Sequence, residues 1–317
     1  MSPPYQGGLP CAARRVGFPA ATTLRHIYRV AGPNLTMMID SPQNTRVKLF
    51  RSLAEAKHRR ETGLFALEGR RLVGEALRAG ASLEWVAYSP EKFVGPEEDR
   101  LLRALLDAGV EIVEIAPRAL AAMTHTETAP GIAAVARIPG SAGFPACGPA
   151  AVADAGGEAC ATPEIERLWL LGLWELRDPG NLGTMIRTAH AFAAAAVVAV
   201  GNCVDFYDPK VVRASSGSVL HLPLLHLPNF YALRDRLAAW QAALVVAEMA
   251  DAVPCDQADY PARALLLIGS EAHGLPEEML AAADLRVNIP MPGGVESLNA
   301  AVAAGIIAFH LGRRGAE

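Results

Sequence analysis

The sequence predicts an α/β protein in two parts, a small α/β domain over residues 45–138 and a larger domain over residues 166–317 built on a parallel sheet. Short apolar runs alternate with helical patterns through the second part, as strand–helix–strand units require. Between the parts, at residues 139–165, "PGSAGFPACGPAAVADAGGEACATPE" can bury little and reads as a linker. With 317 residues, 51% of them apolar, the chain has material for two cores.

Residues 1–44 read as an extension, disordered or upstream of the natural start, because Met37 and Met38 stand just before the first patterned segment. Arg14, Arg15, Arg25 and Arg29 precede any acid, and no apolar core of a secretory signal follows them. From Arg46 to Gly80, Val47, Phe50 and Leu53 and then Leu72 and Ala76 recur at three and four residues, predicting helices around a short strand "GLFALEG". "LEWVAYS", "VEIVEIA" and "GIAAVARI" are further strands, with helices at "EDRLLRALLDAG" and "PRALAAMTH". The second part runs "RLWLLGLW", a helix from Asn181, "AAVVAVG", a helix from Pro209 to Ser218, "AALVVAEM", "ALLLIG", a helix from Pro276, "LRVNIPM" and a last helix.

The net charge of −4 and pI near 6.1 supply no global field for a polyanion, so nucleic-acid binding needs a local patch. Residues 46–78 supply one, with nine Lys or Arg against four Glu. Cys11, Cys147, Cys160, Cys203 and Cys255 form no CxxC pair, and no His or carboxylate cluster has metal-ligand spacing, so neither a structural zinc nor any other metal is expected. The apolar runs fall short of the roughly 20 residues of a membrane span. A reducing, cytoplasmic setting is the expectation.

Three stretches could carry chemistry. In "ELRDPGNLGTMIRTAHAF" a strand ends, Asp178–Asn181 turns, and Arg187 and His190 ride the following helix. Asn181 reads as the helix cap, and Arg187, on these residues alone, as the partner of a surface acid. In "LLLIGSEAHGLPEEML" Gly269 permits a sharp turn and Glu271 lies two residues past the strand, where parallel sheets take ligands. Pro276 with Glu277 and Glu278 is ordinary capping chemistry, and His273 reads as structural or exposed. In "IPMPGGVESLNAAVAAG" two prolines and two glycines fix the path into Ser297, Leu298 and Asn299. Neither a dinucleotide fingerprint nor a phosphate-binding loop is present.

Taken in order, "NLGTMIRTA", "IGSEAHG" and "NIPMPGGVESLNAAVAAG" resemble the three motifs of the SpoU/TrmH class of SPOUT RNA ribose 2′-O-methyltransferases, across residues 166–317. "FALEGRRLVGEAL" resembles the small substrate-binding domain placed before it, itself similar to RNA-binding ribosomal proteins. The resemblance implies a trefoil knot, although threaded chains are nearly absent from proteins. It also implies S-adenosylmethionine as cofactor and a homodimer formed through the knotted domain. It places Asn181, Arg187, Glu271, Ser297 and Asn299 at the family's polar catalytic positions, and Gly269, Ile289, Met291 and Leu298 at its cofactor contacts.

The reaction implied is methyl transfer to a ribose 2′-oxygen, in ribosomal RNA rather than transfer RNA. A catalytically silent RNA-binding protein of the same fold is the alternative. Arg187 is expected to hold a phosphate and stabilise the developing alkoxide, and the proton has three possible acceptors: phosphate, water or Glu271. Lys48, Arg51, Lys57, Arg59, Arg60 and Arg70 are the expected RNA contacts. Arg213 reads first as a structural pairing residue and second as a contact to RNA.

Overall fold

A computed structural model describes residues 38–124, 126, 129–139, 167–249 and 251–313. The linker from residue 140 to 165, the first 37 residues, and Cys11, Cys147 and Cys160 lie outside the described residues.

The first part is a four-stranded sheet with its helices. Thr45–Ser52 (α1) begins at Asn44, whose side chain accepts from Arg46 N–H, and it buries Val47 and Phe50. Ala56–Thr62 (α2) stops at Gly63, which takes the left-handed conformation. Leu64–Glu68 (β1), Arg70–Arg78 (α3), Leu83–Tyr88 (β2), Pro96–Asp107 (α4), Ile112–Glu114 (β3), Pro117–Met123 (α5) and Ile132–Arg137 (β4) follow. The strand order is β1-β4-β2-β3, antiparallel except where β2 meets β3. The segment before α1 joins this core. Ile39 is buried, bridges to Ile115, donates to Glu114 O at 2.8 Å and accepts from Ala116 N–H at 2.8 Å. The extension expected through residue 44 therefore cannot include Ile39, whose burial in an apolar cluster holds it there.

The second part is a seven-stranded, all-parallel sheet. Its elements are Leu168–Trp174 (β5), Pro179–Ala191 (α6), Val197–Val200 (β6), Pro209–Ala214 (α7), Leu224–Leu227 (β7), Phe230–Trp240 (α8), Ala243–Ala247 (β8), Val253–Pro254 (β9), Arg263–Ile268 (β10), Glu277–Ala281 (α9), Leu285–Asn288 (β11) and Ala300–Arg313 (α10). The order is β7-β6-β5-β10-β8-β11-β9. Strands covered on both faces read as unbroken apolar runs, which explains "LWLLGLW" and "ALLLI".

Three departures from expectation have local causes. The helix expected from Pro209 to Ser218 ends at Ala214 and gives way to a 3₁₀ turn, Ser218–Leu220. The strands β7 and β9 and the helix α8 are additional. Phe230, Leu233, Leu237 and Trp240 are the buried face of α8, and their three- and four-residue spacing is a plain helical signal behind Asn229 as cap. The helix expected from Asn181 begins at Pro179, since proline is preset for the first helical position and Asp178 accepts Asn181 N–H at 2.6 Å as the cap. Within α6, Gly183 lets α7 approach: a Cβ there would lie 2.5 Å from Ala214 Cβ and 2.7 Å from Val211 O.

The two sheets are joined by side chains. Arg59, 1% exposed, donates from Nη1 to Leu53 O at 2.8 Å and Ala54 O at 2.9 Å, and its Nη2 lies 3.2 Å from Asp205 Oδ2. Phe65 packs on Tyr207 with ring centroids 4.8 Å apart, and Glu75 Oε1 meets His221 Nε2 at 2.6 Å. Arg59 is therefore corrected from an RNA contact to an internal strut: a guanidinium removed from water must find acceptors, and these lie inside the protein. Arg59→Ala is expected to lower unfolding stability by about 3–5 kcal/mol in a urea titration, because Asp205 loses its buried partner. An unchanged midpoint with weakened RNA binding would restore the surface role.

Candidate functional site

The site forms where β10, β8 and β11 end. Open parallel sheets leave a crevice beyond the carboxyl ends of their strands, and here β10 inserts between β5 and β8. A cavity of about 550 Å³ opens there, lined by the ends of β8, β10 and β11 and by the start of α10. Its walls include Ile268, Leu275, Ile289, Leu298 and Ile307. Gly269, Ile289, Met291 and Leu298, the four expected cofactor contacts, all line it, as do Glu271, Ser297 and Asn299.

Each motif supplies its part for a local reason. Gly269 turns the chain out of β10 so tightly that a Cβ would lie 2.5 Å from Gly274 C and 2.8 Å from Gly274 O. Ser270 and Gly274 close this loop with N–H···O bonds of 3.2 and 2.9 Å, and Glu271 stands at its exposed tip. After β11 the "MPGG" segment turns back on itself, Gly294 N–H donating to Met291 O at 3.1 Å. The chain then enters α10 through Asn299, whose Oδ1 accepts from Ala301 N–H at 2.9 Å and Val302 N–H at 3.3 Å.

Because its oxygen is occupied by that cap, Asn299 has its amide nitrogen free, and Nδ2 donates to Asn181 Oδ1 at 3.0 Å. Asn181 Nδ2 in turn donates to Glu271 Oε1 at 2.9 Å. Three residues separated by 90 and 118 positions in the chain thus form one hydrogen-bonded row. Arg187 does not join it. Six residues beyond Asn181, it lies about 9 Å further along α6 at the helical rise. It is exposed and, among the described residues, carries no ion pair, so the surface-acid pairing is not made.

A sequence profile of the SpoU rRNA Methylase family matches residues 169–309, and one of an MRM3-like substrate binding domain matches residues 44–134. The 23S rRNA (guanosine(2553)-2′-O)-methyltransferase RlmP of Bacillus subtilis is 30% identical over 275 residues, covering 86% of this chain and 98% of its own. The chain belongs to the SpoU family. The protein is accordingly an S-adenosylmethionine-dependent RNA 2′-O-methyltransferase. Solved SpoU relatives superpose over nearly their whole length. An AdoMet-bound rRNA methyltransferase from Sinorhizobium meliloti has a TM-score of 0.71 at 27% identity, with 89% of this chain and 99% of that one covered. The methyltransferase AviRb from Streptomyces viridochromogenes, in complex with AdoMet, has 0.71 at 28%, covering 87% and 99%.

The cavity fits that cofactor. Its volume lies in the range of small-molecule sites, its walls combine aliphatic with polar side chains, and its charged lining consists of the carboxylates Glu248 and Glu271 with no lysine, arginine or histidine, which suits a ligand of net positive charge. Glu248 and Met249, at the end of β8, are lining residues that the three motifs do not include; the position of "AEM" at the end of an apolar strand was the available signal.

The expected RNA patch is partly retained. Lys48, Arg51 and Arg60 are exposed and carry no ion pair among the described residues. Lys57 lies 3.9 Å from Glu61, and Arg70 is held between Glu97 and Glu98. Arg213 lies with Nη1 3.9 Å from Glu68, in keeping with its structural reading.

The row of hydrogen bonds separates two jobs of Asn299. An aspartate there still caps α10 but has no proton to donate to Asn181 and sets a second anion near Glu271. Asn299→Asp is expected to hold its melting temperature while turnover falls on the order of a hundredfold. Turnover close to that of the unaltered enzyme would show that the orientation of Asn181 does not matter.

Proposed function

We propose that the protein methylates a ribose 2′-hydroxyl of ribosomal RNA, as a cytoplasmic homodimer whose catalytic domain is tied in a trefoil knot around the cofactor. The proposal includes two domains, residues 45–138 together with the segment at Ile39 that joins their core, and residues 166–317, joined by a linker. The observation that carries it is the row Glu271, Asn181, Asn299 at the rim of the cavity that also collects Gly269, Ile289, Met291 and Leu298. The name of the Bacillus relative, whose length this chain spans almost entirely, favours ribosomal over transfer RNA. A second copy finds support in a groove beside the row, lined by Thr184, Val302, Ile306 and Phe309, where Val302 and Phe309 stay exposed. For the knot, the support is that α10 leaves the β11 loop and packs back on α6 and β10.

Bound S-adenosylmethionine supplies a methyl group on a sulfonium centre. Transfer breaks a sulfur–carbon bond, forms an oxygen–carbon bond and releases the hydroxyl proton. A guanidinium stays protonated in proteins, so Arg187 serves as a fixed cation that holds the adjoining phosphate and stabilises the oxygen as its proton leaves. Asn181, oriented from both sides, presents its polar edge towards the ribose, and Ser297 adds a hydroxyl at the same rim. Water, a phosphate oxygen and Glu271 are the acceptors open to the proton. Lys48, Arg51, Lys57, Arg60 and Arg70 supply phosphate contacts that position the RNA.

Two measurements test this reading. Arg187→Lys keeps the charge and loses the bidentate fork, so single-turnover methylation should slow roughly a hundredfold while calorimetric affinity for S-adenosylmethionine is kept; near-normal turnover would leave no special role for the guanidinium. Mapping of 2′-O-methyl sites in total RNA should reveal one ribosomal position missing from cells without the gene. A missing transfer-RNA position would redirect the substrate assignment, and a protein that binds RNA but takes up no S-adenosylmethionine would be the silent binder.

A further inference from the structure

The carboxylate of Glu248 stands in the cofactor cavity without a role in the reaction described above. It is the first residue after β8, which lies between β10 and β11, so it leaves the sheet at the middle of the crevice. Its backbone is pinned, Glu248 N–H donating to Val287 O at 2.9 Å, and its Oε1 accepts Met249 N–H at 2.7 Å. A carboxylate offers about four acceptor positions, and this contact uses one of them. The two acids of the lining are also divided in space. Glu271 follows β10 and accepts from Asn181 on α6, at the edge to which the reaction proposed above assigns the methyl transfer. Glu248 sits on the other side of β10, beside β11 and the Ile289 and Met291 that follow it.

We propose that Glu248 holds the ribose of the cofactor, its carboxylate accepting from the vicinal hydroxyls of the adenosine. The inference rests on the S-adenosylmethionine reading of the cavity. A diol presents two donors side by side, and an acceptor-only carboxylate at a strand end is the group that matches them, as in dinucleotide sites on other parallel sheets. The charge-assisted bonds so formed are about twice as strong as neutral ones. The ammonium of the cofactor's amino-acid arm is the competing cationic partner, and position separates the two, since Glu248 lies away from Asn181 and the methyl-transfer edge.

The test uses the full-length protein in calorimetric titrations with S-adenosylmethionine and with 5′-methylthioadenosine, which keeps the adenosine but lacks the ammonium and carboxylate. Glu248→Ala is expected to weaken both ligands by the same factor, about tenfold to a hundredfold, and Glu248→Gln by a smaller common factor. The melting temperature of the ligand-free protein should be unchanged in both variants, because the carboxylate's contact within the protein is to the neighbouring N–H. A loss confined to S-adenosylmethionine would assign Glu248 to the ammonium and overturn the proposal. So would unchanged affinity for both ligands. Unaltered protein that binds neither ligand would instead remove the cofactor reading on which the proposal stands.

Discussion

The side-chain amide of Asn181 is the contact on which the polar row at the cavity rim depends. Its oxygen accepts from Asn299 and its nitrogen donates to Glu271, so the two neighbours dictate which way the amide faces. Turned over, it would set its oxygen against a carboxylate and its NH2 against another donor. Both neighbours are themselves fixed by backbone. Asp178 caps α6 and so sets the turn on which Asn181 sits, while Asn299 spends its oxygen capping α10 and has its nitrogen left for Asn181. Bonds joined in such a row reinforce one another, and each polar side chain serves the local chain and the site together.

The row can form because of strand order. β5 and β10 are neighbours although their paired residues, Leu168 and Arg263 among them, lie far apart in the chain, so the loops leaving their carboxyl ends meet. Gly269 then carries the chain against Gly274 at a distance no side chain would allow, which brings Glu271 back over the sheet. The same order leaves β8 and β11 to supply the far wall, where Glu248, Ile289 and Met291 stand. The polar rim and the apolar cavity are thus two consequences of one topology.

Much of this is legible in the sequence, and the residues show where legibility ends. Strands covered on both faces, such as "ALLLIG", announce themselves by apolarity alone, and the motif glycine that ends this one marks the crevice. All four expected cofactor contacts line one cavity, because motif spacing records the ends of strands. The charge run at residues 46–78 misleads at Arg59: composition counts a cation but not the side to which α2 turns it, and burial against Asp205 is a long-range fact. Asn181 is the expected cap of α6, but Asp178 takes the role because Pro179 after it is preset for the first helical position. Arg187 marks the limit in the other direction. The pattern ties it to Asn181, yet in a single chain the helix carries it away from the row.

The contact between the two halves reaches that helix through His221. At its start α6 holds Asn181; near its end His190 stacks on His221 with centroids 4.8 Å apart and approaches Ser218 Oγ at 3.2 Å. His221 reaches Glu75 of α3, in the part matched by the substrate-binding profile. Burial and the adjacent His221 push His190 below the ordinary histidine range, so it sits in the stack as a neutral ring. Burial alone would raise Glu75, but the hydrogen bonds and charges of Arg78 and His221 outweigh it and hold the carboxyl below its usual range. Glu75 is therefore an anion wherever the enzyme meets RNA at neutral pH. The Glu75–His221 contact thus ties α3 of the first half, through the stacked His190, to the helix that carries Asn181 and Arg187. The two halves are in this way held together through side chains of α3, His221 and His190.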